Sequence, residues 1–141
     1  DPGASAQMTD PDLAAEFASE TGVDLLAVAV GNVHGQYAGE PDLNFPLIET
    51  LAERTRVPLA LHGASGLNAM DLGRSTAAGV TKANFNTDLR RGYVQALDKW
   101  RITDNGRHDF MAMRRSLIQI TTELVTQRLK WLDAPRILEA A

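Results

Sequence analysis

Leu25–Gly35 reads LLAVAVGNVHG, and Val57–Gly66 reads VPLALHGASG. Each begins as an unbroken apolar run and ends on a histidine followed by glycine, His34-Gly35 and His62-Gly63. An apolar run without polar alternation suits a parallel strand covered on both faces. In parallel α/β folds, reactive side chains sit at the carboxyl ends of such strands. The two histidines are 28 residues apart, about one strand–helix unit. The pattern therefore predicts them at the same end of neighbouring or near-neighbouring strands.

The flanking sequence alternates helix and strand. Thr9 and Asp10 can cap a helix with Pro11 in its first turn and Asp12 completing a T-x-x-D box. Leu13, Phe17 and Ala14 or Ala18 would face inward, and Gly22 would end it. A strand over about 24–30, a loop over 31–46, a helix over about 45–55 with Leu47, Ile48 and Leu51 at helical spacing, and a strand over 57–61 follow. A helix over 68–78 would end at Gly79, before a shorter, more polar strand over 80–86. Leu89, Tyr93, Val94, Leu97 and Trp100 mark a helix over 88–100. Phe110, Met113, Leu117, Ile120, Leu124 and Leu129 mark one face of a long helix over about 107–131.

Alternating units with short connections imply an α/β fold with a mostly parallel sheet. Three strands make a poor independent parallel sheet, because both edges carry unpaired backbone groups. The expectation is part of a larger barrel or sheet. Residues 1–8, small and polar, read as a flexible loop, and 9–141 as the domain portion.

Composition bounds the class. The chain has 141 residues, 44% of them hydrophobic, enough for one packed domain. A formal charge of -4, a pI near 5.3 and no basic stripe argue against nucleic acid as a partner. Without cysteine there is no disulfide, zinc–thiolate site or thiol nucleophile. No apolar stretch approaches the roughly 20 residues of a membrane span, so a cytoplasmic protein without a membrane partner is expected.

Neutral imidazole is a good zinc ligand, and a catalytic zinc commonly has three protein ligands and one open position. His34 and His62 could be two of the three; alternatively, each is a strand-end residue hydrogen-bonded to backbone. His108 lacks that context and reads as a solvated helix-start residue. Gly63-Ala64-Ser65-Gly66 could set backbone N–H groups and the Ser65 hydroxyl around a phosphate, with the helix near Asn68 adding its positive end; the alternative is a simple turn. A nucleophile elbow is excluded, since Leu67 stands where G-x-S-x-G needs its second glycine. Neither a G-x-G-x-x-G fingerprint nor a P-loop is present. In Lys82–Asp88, KANFNTD, alternation would direct Asn84 and Asn86 to one face and Phe85 to the other. Thr87 would stand at a helix start able to receive a phosphate, or Asn86 or Thr87 merely caps that helix.

GNVHGQY, PLALHGASGL and TKANFNTDL, in this order and spacing, resemble the last three strand ends of the class II, metal-dependent ketose-bisphosphate aldolases, the fructose- and tagatose-bisphosphate aldolase type. The likeness extends to TDPDLAAEFASETGVD and covers about residues 9–95 closely. It implies the C-terminal part of a TIM barrel, about three strand–helix units plus terminal helices, and an enzyme that reversibly cleaves a ketose 1,6-bisphosphate to dihydroxyacetone phosphate and an aldehyde such as glyceraldehyde 3-phosphate, as in glycolysis.

Carried over by position, His34 and His62 match two of three zinc-binding histidines. Gly35, Gly63 and Ser65 match positions that hold the phosphate and hydroxyketone end, near backbone groups able to bind a monovalent cation, Na+ or K+. Asn84 matches a contact to the ketone or enediolate and Thr87 a contact to its phosphate, with Asn86 between them. Ala38, where the fructose branch often has lysine, points toward the tagatose branch; Asn86 replaces a residue commonly acidic or small. The third histidine, the proton-transfer aspartate and the N-terminal half of the barrel are expected outside these residues, DPGASAQM reading as the tail of a mobile loop. The resemblance further implies a homo-oligomer, dimer or tetramer. A competing reading is a non-catalytic subunit with an aldolase-like barrel that binds a sugar phosphate or stabilises a partner.

Overall fold

The computed structural model describes residues 7–33 and 41–132. Helix α1 (Pro11–Thr21) starts at Asp10, whose carboxylate accepts hydrogen bonds from the N–H groups of Asp12 and Leu13, and ends at Gly22 in the left-handed region. Thr9 has a different task from capping. Its N–H donates to the Ala29 carbonyl and its hydroxyl accepts from the Ala29 N–H, both at 2.8 Å. Entry into α1 is thereby tied to the end of strand β1 (Leu26–Val28).

Helix α2 (Phe45–Thr55) is capped by Asn44, whose side chain accepts from the Leu47 N–H. It leads to strand β2 (Leu59–Leu61). Asn68 caps α3 (Ala69–Ala78) in the same way through the Asp71 N–H, and β3 (Val80–Ala83) follows. Two longer helices complete the described chain, α4 (Thr87–Asp104) and α5 (Phe110–Leu132). The strands form one parallel sheet in chain order, β1-β2-β3.

The order of elements is as the hydrophobic periods predict, but each strand is shorter. Pairing of β1 begins where the Leu26 N–H donates to the Pro58 carbonyl, Pro58 having no N–H to return. β3 stops at Ala83 because Asn86 already has helical backbone angles, φ -119° and ψ -53°. The strict alternation expected through Asn84, Phe85 and Asn86 is therefore lost.

The core lies where the helices cover the sheet, with Val28, Val30, Ile48, Leu51, Leu59, Leu61, Leu72 and Val80 among its members. Leu13 and Phe17 do not join it, being 66% and 48% exposed. α1 buries Ala14 and Ala18 instead, small residues that let it lie close to α2. The same occurs in α4. Gly92 and Ala96 are buried while Tyr93 and Val94 face out, because a Cβ on Gly92 would collide with Leu124 Cδ1 of α5. The half-buried stripe of α5 runs through Met113, Leu117, Ile120, Leu124, Arg128 and Trp131. Arg128 takes the inward place expected for Leu129, which is 59% exposed; Phe110 is exposed too, its ring stacked on Trp100. No described helix is long and apolar enough to cross a membrane.

Asp104 organises the α4–α5 connection. Its two carboxylate oxygens accept from the N–H groups of His108 at 2.6 Å and Asp109 at 2.9 Å. Burial opposes ionisation, but these N–H groups and the nearby His108 charge outweigh it and hold the carboxyl below its ordinary range. A depressed folded-state value contributes stability that is present above the unfolded carboxylate pKa and lost as pH falls through the folded one. Thermal unfolding followed from neutral to strongly acid pH is expected to show less acid destabilisation in Asp104→Asn than in the wild type, after the neutral-pH difference is subtracted.

Candidate active site

The candidate site forms at the carboxyl ends of the three strands. His62 follows β2 directly and is half-buried. The chain turns at once through Gly63, φ +65°, a conformation glycine adopts without steric cost. At the end of β1, Gly31 has φ +96° and lies against Asp42, whose carbonyl oxygen a Cβ would strike.

Asn32 couples the two strand ends. Its Oδ1 accepts from the Val30 N–H at 2.8 Å and its Nδ2 donates to the His62 carbonyl at 3.0 Å. The side chain thus satisfies two backbone groups and fixes the chain at His62. Sequence reasoning passed over Asn32; the available signal was a lone amide next to the glycine that ends an apolar run.

Asn84 completes the second pairing. Its N–H donates to the Leu61 carbonyl and its carbonyl accepts from the Ala64 N–H. The side-chain Nδ2 lies 3.3 Å from both Nδ1 and Nε2 of His62. Lys82 Nζ donates to Asn84 Oδ1 at 2.5 Å. With the amide oxygen engaged by an ammonium, the amide NH2 is the end presented to the imidazole.

Ser65 is 4% exposed, and its hydroxyl accepts from the Asp88 N–H of α4 at 3.3 Å. The hydroxyl therefore sits at the N-terminus of α4. The first turn of α3, expected to lend its positive end, is engaged by Asn68 itself. Thr87 is the first residue of α4 and half-buried. Asn86 occupies the cap position but makes no side-chain cap bond and is exposed, so the capping alternative does not hold for it.

Behind Thr87, Asp88 and Arg128 Nη2 form an ion pair at 2.6 Å, with side chains only 12% and 15% exposed. The guanidinium lies 4.1 Å from the Trp131 ring centroid and 5.8 Å from that of Phe85. A groove of about 460 Å3 opens beside it between the end of β3 and α5, walled by Phe85, Leu89, Leu124, Leu129 and Leu132. Arg128 was also missed, although it falls four residues after Leu124 and three before Trp131, on the inward stripe.

The structure thus brings His62, Gly63, Ser65, Asn84 and Thr87 to one end of the sheet, with Asn86 at its exposed rim. His34 and Gly35, together with Ala38, lie outside the described residues, as do residues 1–6 of the expected loop. His108 is exposed at the start of α5, remote in role from this cluster. Among the described residues, no three His, Cys, Asp or Glu side chains are grouped to hold a metal ion.

Residues 2–135 match the family model described as fructose-bisphosphate aldolase class-II. The chain belongs to the class II fructose-bisphosphate aldolase family. It is 38% identical over 122 residues to the uncharacterized protein YdjI of Escherichia coli K12, covering 86% of this chain and 42% of that protein. The crystal structure of the YdjI aldolase superposes with a TM-score of 0.82 at 35% identity, over 91% of this chain and 47% of that one. A candidate fructose-1,6-bisphosphate aldolase from Coccidioides immitis gives 0.79 at 26% identity, over 90% and 44%. The fructose-bisphosphate aldolase of Campylobacter jejuni, at 16% identity over 92% and 46%, shares the fold with a TM-score of 0.72. This class II family chain therefore spans less than half the length of these relatives.

Replacing Asn32 by alanine removes the acceptor of the buried Val30 N–H, at about 1–3 kcal/mol for an unsatisfied buried group, and also one donor to the His62 carbonyl. Asn32→Ala is expected to lower unfolding free energy by about 2 kcal/mol or more in urea titration. Asn32→Asp, which sets a buried carboxylate oxygen against the His62 carbonyl, should be at least as destabilised as the alanine variant.

Proposed function

We propose that the chain supplies the C-terminal strand–helix units of a zinc-dependent TIM-barrel aldolase that reversibly cleaves a ketose 1,6-bisphosphate to dihydroxyacetone phosphate and an aldehyde such as glyceraldehyde 3-phosphate. The observation that carries this reading is the convergence of His62, Asn84 and Ser65 on one end of the parallel sheet, with the N-terminus of α4. The family match and the YdjI structure support it. The imidazole of His62 and that of His34 are suitable zinc donors, with a third histidine contributed from outside these residues. When bound, the zinc ion supplies Lewis-acid polarisation of the ketose carbonyl.

The chain's own residues do the rest. Asn84, its amide oriented by Lys82, directs N–H donors to the place where negative charge develops as the carbon–carbon bond breaks, and holding such donors in advance favours the transition state. Ser65, Gly63 and the first turn of α4 at Thr87 receive the phosphate of the dihydroxyacetone half, helped by the helix dipole. Gly35 and Asn86 complete the ligand-facing set, with Na+ or K+ beside the phosphate loop. The proton-transfer aspartate comes from the part of the barrel outside this chain. The same seat accepts either ketose epimer, and the whole barrel assembles as a homo-oligomer, a dimer or tetramer.

In the full-length protein, His62→Ala and His34→Ala are expected to lower cleavage about 100-fold or more with loss of bound zinc. Full zinc content and rate in both variants would remove the ligand assignment. The isolated 141-residue chain should bind zinc weakly and give no measurable cleavage, since two histidines fall short of the three ligands of a catalytic zinc. Zinc-dependent turnover by the correctly folded isolated chain would overturn the partial-barrel reading.

A further inference from the structure

Asp88 is the acidic residue in the first turn of α4, and its own N–H meets the Ser65 hydroxyl. A carboxylate there has two effects that oppose an incoming phosphate. Its charge repels the anion, and its oxygens can fold back to occupy the helix N–H groups themselves. In the structure neither happens freely, because Arg128 Nη2 holds Asp88 Oδ2 at 2.6 Å. The cation arrives from α5, 40 residues along the chain, clamped between Trp131 and Phe85. Among the described residues its Nε is buried without a hydrogen-bond partner. Of the other two nitrogens, Nη2 makes the short bond to Asp88 and Nη1 lies 3.5 Å from Gln127 Oε1.

We propose that Arg128 is a positioning residue for anion binding: by neutralising and drawing aside the Asp88 carboxylate, it leaves the N-terminus of α4 able to accept the phosphate next to Ser65. This rests on the phosphate seat of the proposed function. It assigns to α5 a task in the site, and to the ion pair a task beyond joining two helices. Salt bridges this deep contribute little net stability compared with apolar replacements, whereas removing one partner leaves the other charge uncompensated. Substitution of one partner and of both can therefore separate charge from packing.

The test uses the full-length protein with two probes, inorganic phosphate as a competitive ligand and dihydroxyacetone phosphate as substrate of the reverse reaction. Arg128→Met is expected to weaken both by at least about tenfold, with kcat changed less than about threefold. Asp88→Asn combined with Arg128→Met is expected to recover phosphate binding to within about threefold of the wild type, because the charge that Arg128 offset is gone. Arg128→Lys, which keeps the cation, is expected to stay within about threefold and serves if Arg128→Met does not fold. A folded Arg128→Met with unchanged phosphate affinity, a double variant as weak as the single one, or a tenfold loss in Arg128→Lys would each overturn the proposal. A wild-type protein that binds neither probe would instead overturn the phosphate seat itself.

Discussion

The site depends on backbone hydrogen bonds that continue past the ends of the strands. β2 and β3 stop at Leu61 and Ala83, yet the Asn84 N–H still reaches the Leu61 carbonyl and the Ala64 N–H still reaches the Asn84 carbonyl. These bonds bring His62 and Asn84 side by side in a segment without regular secondary structure. On the other flank Asn32 does the same work with a side chain, past the end of β1. Precise placement without a strand requires polar backbone groups to find specific partners, and those at Val30, Leu61, His62, Ala64 and Asn84 find them in neighbouring segments or side chains.

The elements themselves were legible because their periods and caps are strong. Asp10 and Asn68 each start a helix, and Gly22 and Gly79 each follow one, where sequence alone puts such residues, whereas the Asn44 cap of α2 emerged only in the structure. Orientation of the helices was less legible. A hydrophobic stripe is ambiguous when the same helix carries small residues on an adjacent face, and α1 and α4 bury Ala14, Ala18, Gly92 and Ala96 in preference to larger neighbours. Large side chains there would hold the helices apart, which the helical period of apolarity does not reveal.

Site residues divide similarly. His62, Ser65 and Asn84 could be read because their types and strand-end positions carry chemistry. Asn32, Lys82 and Arg128 could not, because each acts through a partner that only the folded chain discloses: a carbonyl just past the next strand, an amide two residues on beyond the strand end, a carboxylate on another helix. Arg128 in particular sits at a position whose helical period reads as apolar, where its aliphatic stem and aromatic neighbours replace the hydrophobe that the pattern calls for.

The sheet follows chain order, β1-β2-β3. Neighbouring strands are joined across a single helix, Leu26 pairing with Leu59 and Leu59 with Val80, so the sheet is built without any contribution from α5. The clamp from α5 to the start of α4 spans 40 residues and closes only after both long helices are in place. A molecule whose α5 detaches therefore loses the cation beside the start of α4 while all three strands can stay in register.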